Sequence, residues 1–474
     1  MLVQLLVALL ITVLIGYATW RKVKSTPASH DGSGKDVFLA GGGLSWLYVA
    51  GSITLTNLST EQLVGMNGNQ MLLLAWWELA GFVGLLILAF VFVPIYYKHQ
   101  CTTVTELLER RYRGGSVRTI VAAIFLFGSV TVYVPAALYS GSLFLKTMLG
   151  WEGSLLVFAI PMAVIAALYT ILGGLKAVAV MDTFSGIGVL AIALLVVVLA
   201  LNAIGWNFDG IPPERLTMIG SSDSPIPFHT LFTGMVFIQI FYWSTNQNIT
   251  QKAMAAPTVR EAQKGVMAAA MVRILIVPLI VVVPGVVAFK LFGTLHDASY
   301  GRIVAHVLPP WLSGAFAAMM AAAVIAHTSA ILNGAVALYA VDFHDRFVAP
   351  VKDYWKISLR ATILVAAIGV ALVPIFENTE SIINTLQKLN GLTSMPILSA
   401  FIVGLLFKGV RASAASIAIG FGVVLYGLLL RYPPAFLPSW FHYIDAMVVT
   451  LVACIAVALI VNKLMGAEPE EAEA

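Results

Sequence analysis

The stretch AAVIAHTSAILNG, residues 322–334, sets one imidazole, His327, among small aliphatic side chains and follows it with the hydroxyls of Thr328 and Ser329. An imidazole so placed can exchange a proton near neutrality, hold a metal, or donate one hydrogen bond to a helix carbonyl. No metal-ligand spacing accompanies it, and the two cysteines, Cys101 and Cys454, are too far apart in character and position to suggest a disulfide. Two further segments carry polar groups where apolar ones dominate. GSITLTNLSTEQLVGMNGNQ, residues 51–70, crowds Asn57, Ser59, Thr60, Glu61 and Gln62 together, and FIQIFYWSTNQNITQ, residues 237–251, does the same with Gln239, Tyr242, Ser244, Thr245, Asn246 and Gln247. Amides, hydroxyls, carboxylates and aromatic rings in this mixture suit recognition of a small polar solute better than bond-breaking chemistry.

The elements that must position these groups follow from composition. Of 474 residues 60% are hydrophobic and 11% charged, and the mean hydropathy is +0.93. Such a chain is an all-α polytopic membrane protein, since about 20 apolar residues make a helix long enough to cross about 30 Å of hydrocarbon. About thirteen transmembrane helices are expected, near 1–20, 45–70, 71–97, 116–148, 154–174, 177–203, 228–252, 265–293, 309–343, 357–377, 381–407, 411–430 and 441–463. The first run lacks a basic segment before it and a small-residue cleavage site, so it reads as a retained helix rather than a signal peptide. With the N terminus outside and the C terminus cytoplasmic, 20 of the 27 Lys and Arg fall on the cytoplasmic side, five fall outside, and Arg273 and Lys388 lie within spans. The net charge of +4 is thus a consequence of topology and calls for no nucleic-acid partner. Connections are short, and the chain reads as a single membrane domain with an acidic, disordered tail over 464–474.

Polar residues at membrane depth are costly unless they line a cavity or meet one another. Two polar interruptions five spans apart therefore predict two broken helices in matching places. Because five is odd, the repeats are inverted: a five-helix unit over 45–203 and a second over 228–407, with 1–20 and 411–463 as flanking additions.

The blocks FLAGGGLSW at 38–46, NLSTEQLVGMNG at 57–68, FYWSTNQNITQKAMAAPTVREAQKG at 241–265 and LQKLNGLTSMPILSAFIVGLLFKG at 386–409 resemble the solute:sodium symporter family, in particular its sodium/glucose cotransporter branch. The resemblance runs in order across roughly 36–410 and implies the LeuT-type fold, a five-plus-five inverted repeat, and cation-coupled uptake by alternating access. Carried over onto this chain, it assigns solute binding to Gln62, Glu78, Gln239, Tyr242, Arg273 and Gln387, with Met66 and Trp77 as apolar cover. Gln239 and Arg273 depart from the family pattern, which has asparagine and lysine there. A guanidinium is a planar fork rather than a point donor, so it points to an acidic sugar gripped by two bonds.

The family's sodium site would fall on the carbonyls of Leu55, Leu58 and Ala323 and on two hydroxyl side chains, positions held here by Ala326 and His327. Both side-chain oxygens are absent, and an imidazole is a poor ligand for a hard cation. Thr328, Ser329 and Asp182, the last matching an acidic family position, would either rebuild a shifted sodium site or, through a His327–Asp182 pair, bind a proton. Histidine titrates at about pH 6.5 when unperturbed, which suits the second role. The expected coupling ion is therefore sodium or a proton, with no organic cofactor. The partners expected are a sugar-like solute and the lipid bilayer, and a monomer suffices. The expected location is a bacterial inner membrane. An intramembrane enzyme finds no nucleophile or zinc motif here, a channel would not need broken inverted repeats, and a non-transporting solute sensor is the remaining alternative.

Overall fold

The computed structural model describes residues 2–25, 43–101, 103–348, 350, 353–379, 381–434 and 437–466. Among these every regular element is a helix. In chain order the helices that matter here are α1 (Leu2–Ser25), α2 (Trp46–Asn57), α3 (Thr60–Gly68), α4 (Trp76–Ile87), α5 (Val104–Tyr112), α6 (Gly115–Gly128), α7 (Val134–Leu149), α8 (Leu156–Ala203), α9 (Gly234–Ser244), α10 (Gln247–Met254), α11 (Val259–Leu275), α12 (Val277–Phe292), α13 (Ser299–Val307), α14 (Pro310–Ala337), α15 (Tyr354–Phe376), α16 (Ile382–Leu406), α17 (Ala412–Arg431) and α18 (Tyr443–Met465).

Nine of the described helical stretches are long and apolar enough to cross a membrane, where thirteen spans were expected. Leu6–Ala18, Leu156–Ile171 and Gly234–Ser244 are apolar but shorter, and the pair α2 and α3 is interrupted. The spans expected at 154–174 and 177–203 form one helical run in α8. A straight helix of 48 residues would measure about 72 Å, more than twice the hydrocarbon thickness, so the run is long enough for two crossings. Most of the tail expected to be disordered lies outside the described residues.

Both expected breaks are present. Between α2 and α3 the chain leaves the helix at Leu58 (ψ 52°) and is extended at Ser59 (ψ 165°). Between α9 and α10 it does so at Thr245 and Asn246, and the Asn246 side chain accepts the Asn248 N–H at 2.9 Å, capping α10. A helix interrupted at membrane depth leaves backbone groups that protein must satisfy.

The same logic appears at Pro284 within α12. Proline brings no N–H to the Ile280 carbonyl four residues earlier. Asn67, at the end of α3, replaces it: its Nδ2 donates to Ile280 O at 3.1 Å, and its Oδ1 accepts the Gly285 N–H at 2.7 Å. One buried amide thereby fixes the second half of the first broken helix to α12.

Packing builds a scaffold around these broken helices. α14, which carries His327, lies against α1, α7 and α8, while α2 packs on α11 and α4 on α9. The last contact is close because Gly81 and Gly84 face the second broken helix, and a Cβ at Gly84 would overlap the Gln239 carbonyl. Two π-helical turns, at Leu88–Phe92 and Ser129–Tyr133, interrupt otherwise regular spans, and a longer π-helical segment, Leu338–Val348, ends the span of α14. The second places Tyr133 on the cavity described next, a setting in which π-turns recur.

Candidate functional site

A cavity of about 90 Å³ lies where the two breaks meet. Ser59, Glu61 and Gln62 enter from the first, Gln239, Tyr242 and Asn246 from the second. α16 closes one side with Ile383, Gln387 and Asn390, and α14 contributes His327 and Ile331. Trp77 and Tyr133 complete the polar and aromatic lining.

Glu61 sits in the first turn of α3, the favourable end of a helix for a carboxylate. Its Oε1 stands 3.3 Å from His327 Nε2, and both side chains are about one-tenth exposed. Glu61 is therefore a partner of His327, while the side chain of Asp182, the partner expected from the sequence, lies outside the described residues. The pair bridges α3 of the broken helix to α14 of the scaffold. Around it Glu61 Oε2, Thr60 Oγ1, His327 Nδ1 and Thr328 Oγ1 are buried without hydrogen-bond partners. Such groups ordinarily find one, so all four retain hydrogen-bonding capacity that the protein itself does not use.

The neighbouring expected positions divide. Ala326 is fully buried and Ala323 nearly so, and Leu58 is buried at the break itself. Leu55 lies in the last turn of α2, and its side chain is outside the described residues. Ser329 serves packing: its hydroxyl lies 2.9 Å from Ala166 O on α8 and 2.7 Å from Ile325 O on its own helix.

The residues expected to hold solute fall into two groups. Gln62, Trp77, Gln239, Tyr242 and Gln387 line the cavity. Glu78, Arg273 and Met66 stand behind its wall, each at most 1% exposed. Glu78 and Arg273 form an ion pair, Gln62 Nε2 donates to Glu78 Oε1 at 2.6 Å, and the guanidinium lies 4.6 Å above the Trp243 ring. A charge placed in low dielectric needs such a counter-charge. The guanidinium expected to grip an acidic sugar is thus already matched.

Gln239 is similarly committed, donating to Trp77 O at 2.7 Å and accepting from Trp243 Nε1 at 3.0 Å. Gln387 is less so, accepting from Asn390 Nδ2 at 3.3 Å while Tyr133 Oη donates to Asn390 Oδ1 at 2.5 Å.

Several site residues escaped the sequence reading. Tyr133 sits in a run whose composition gives no sign of it, and Trp243 and Asn390 lie inside quoted blocks but were not picked out within them. Glu61 was visible as one of a polar cluster, and adjacency to Gln62 was the signal that it shared the cavity. Lys252, fully buried on α10, ties the second broken helix to the first by donating to Ser52 O at 3.2 Å. On the side rich in Lys and Arg, Arg118 of α6 meets Glu106, Glu109 and the fully buried Asp342 that ends the His327 span.

A sequence profile of the sodium:solute symporter family matches residues 37–422. The uncharacterized symporter YidK of Escherichia coli (strain K12) is 32% identical over 95% of this chain and 82% of its own. The sodium/glucose cotransporter of Vibrio parahaemolyticus is 29% identical over 94% and 87%, and the sodium/myo-inositol cotransporter 2 of Bos taurus 26% identical over 84% and 64%. Among solved structures, a substrate-bound, outward-open Na+-coupled sialic acid symporter superposes with a TM-score of 0.83 at 15% identity, covering 98% of both chains. The nucleobase-cation-symport transporter Mhp1 follows the same LeuT-type course with a TM-score of 0.58 at 14% identity, covering 92% and 96%. With the profile matched over most of its length and its helices in that arrangement, the chain belongs to the sodium:solute symporter family and is a membrane transporter, not an enzyme.

Proposed function

We propose that this transporter takes up a small neutral polyhydroxylated solute, a monosaccharide or cyclitol, and that the Glu61–His327 pair couples uptake to a proton. The solute class is supported by the cavity lining, where Gln62, Gln387 and Asn246 offer amide donors and acceptors and Tyr242 and Trp77 offer rings for the apolar face of a pyranose. The names of the Vibrio and mammalian relatives agree with that class. An acidic sugar loses its basis because the Arg273 charge is matched by Glu78.

The observation that carries the coupling reading is the 3.3 Å approach of His327 to Glu61. His327 stands where the family would place one of two sodium-binding hydroxyls. Protonated, it sets a fixed positive charge beside a carboxylate at the break. Having released that proton, it leaves the carboxylate of Glu61 uncompensated until another proton arrives. One proton held and released per cycle would do the work of a bound cation.

A second reading rests on the three partnerless oxygens, Glu61 Oε2, Thr60 Oγ1 and Thr328 Oγ1. These are hard ligands of the kind sodium prefers, and they would support a displaced sodium site.

Proteoliposome uptake separates the two. With choline replacing sodium and an acidic exterior, uptake of labelled glucose or myo-inositol should persist under proton coupling. Glu61→Gln and His327→Asn should lose the response to the pH gradient yet retain solute counterflow. Uptake that demands sodium and ignores the gradient would overturn proton coupling. Binding of either solute with no flux at all would leave a sensor.

A further inference from the structure

A second and larger cavity, about 540 Å³, lies on the side expected to be external from the Lys and Arg distribution. It opens between the start of α16, the end of α17, the start of α18 and the connection that precedes α9. Its polar lining is Asp223, Asn384, Lys388 and His442, with Phe441 and Tyr443 supplying rings. Lys388 is exposed, lies 5.8 Å above the Tyr443 ring, and makes no ion pair among the described residues. The Tyr443 hydroxyl is buried without a hydrogen-bond partner.

The charge balance of this pocket is specific. Burial pushes His442 down to about 4, so its ring is neutral at physiological pH. Asp445 behind it is occupied by His229 at 2.9 Å and by the Thr233 hydroxyl at 2.7 Å. One cation, Lys388, and one carboxylate, Asp223, therefore face the cavity. Together with the Asn384 amide, the neutral imidazole and two aromatic rings they make a surface of mixed donors and acceptors with apolar planes. That combination suits hydroxyl groups on a ring rather than a charged ligand.

The cavity shares a wall with the central one. On α16, Asn384 and Lys388 are four residues apart and point to the outer cavity, whereas Ile383, Gln387 and Asn390 point to the central one. Asn384 also donates to Asn69 Oδ1 at 3.3 Å, and Asn69 Nδ2 donates to Ser381 Oγ at 3.2 Å, joining the end of α3 to the start of α16. An occupant of the outer cavity thus touches the turn of α16 whose other face lines the central cavity, and it touches Asn384 of the amide link to α3.

We propose that this pocket is an outer binding site for a neutral monosaccharide or cyclitol, the solute class inferred above, occupied before the solute reaches the central cavity. The proposal rests on that reading for the solute class, but its site is separate and its test is independent.

The test uses thiol labelling of a Ser222→Cys variant of the full chain in nanodiscs. Ser222 lies exposed on the rim, and the native Cys101 and Cys454 are buried and give little background. Glucose or myo-inositol at ten times its dissociation constant should slow labelling about tenfold if it covers the rim. That protection should survive Gln62→Ala, which removes a central-cavity group, and should be lost with Lys388→Ala and weakened by the milder Tyr443→Phe. Labelling rates that neither sugar alters overturn the outer site, and if counterflow of the same sugar is intact they do so without touching the proposed uptake. Protection in a protein that shows no counterflow supports the outer site and removes the uptake reading instead.

Discussion

The ion pair between Glu78 and Arg273 makes a demand that can be measured. Both side chains are at most 1% exposed, and each is the other's compensation in a region of low dielectric. Converting Glu78 to Gln keeps the shape and the acceptor for Gln62 Nε2, but it strands a guanidinium that has no route to water. Breaking a buried pair in this way costs about 3–5 kcal/mol, whereas replacing both members by uncharged groups of similar volume is often close to neutral. The coupling between Glu78→Gln and Arg273→Met is therefore expected to be about 3 kcal/mol or more, with the double variant close to the unsubstituted protein. Unfolding of a membrane protein in detergent is read most safely as a rate. Because both cysteines are buried, a fluorogenic thiol reagent reports it directly. At a fixed temperature Glu78→Gln should expose thiols about a hundredfold to a few thousandfold faster where the whole loss falls on unfolding, following tenfold per 1.4 kcal/mol, and the second substitution should restore most of the loss. A Glu78→Gln protein as durable as the original, yet defective in uptake, would refute the argument. It would place Glu78 on the solute instead of on Arg273.

Two further perturbations probe the two sides of the molecule. Burial raises Asp297, between α12 and α13, to about 7, against the N–H that Ile382 donates to it at 2.8 Å. The folded protein then holds this proton between pH ~4 and ~7 where the unfolded chain does not, so stability is full at the acid end and falls as pH rises through that window, by up to about 4 kcal/mol. Asp297→Asn keeps an acceptor for Ile382 and should outlast the original protein at pH 8 but not at pH 5 in the thiol assay; equal durability at both pH values would contradict this. On the opposite side, Arg118→Met leaves Asp342, fully buried, without its charge partner and should destabilise by about 3–5 kcal/mol, with Asp342→Asn recovering much of it. Cys101 is buried in the connection leading to the Glu106 helix, so early labelling at that thiol alone would report local opening there.

What the sequence disclosed and what it withheld follow from range. Both helix breaks were legible because Asn57 to Gln62 and Ser244 to Gln247 put polar groups where hydrocarbon would otherwise surround them, a conflict local enough to see. The partner of His327 was not. A match to family positions gives the place of Asp182 along the chain but not which way His327 turns, and Glu61, across the bundle, was read only as one more polar residue. Arg273 and Glu78 were each assigned to solute, because nothing in either neighbourhood announces that the two helices set them together. The π-turn before Tyr133 adds one residue to a helical circuit without altering composition, so no periodicity could reveal it. The spans expected at 154–174 and 177–203 are one helical run in α8: the Gly173-Gly174 pair at the end of the first costs a helix only about 1 kcal/mol per residue, and the run continues through it.

The arrangement of α3 explains how two ligands at different places could act on one motion. This helix has nine residues, begins at the extended Ser59 and is held at its far end by Asn67 to α12 and by Asn69 to α16. Glu61 and Gln62 are consecutive in its first turn, so about 100° separates them: Glu61 turns to His327 on the scaffold, and Gln62 turns to Glu78 behind the cavity wall. A proton gained or lost at the first changes the pull between α3 and α14. A solute that recruits the amide of Gln62 competes with its bond to Glu78 on the same turn. Each ligand can bias the position of α3 only as far as it binds one arrangement better than the other, and the bias is mutual: whatever factor the proton adds to solute affinity, the solute must add to proton affinity. If the proposed proton and solute bind at Glu61 and Gln62, their coupling needs no path between distant sites, because these are adjacent residues on one short, broken helix.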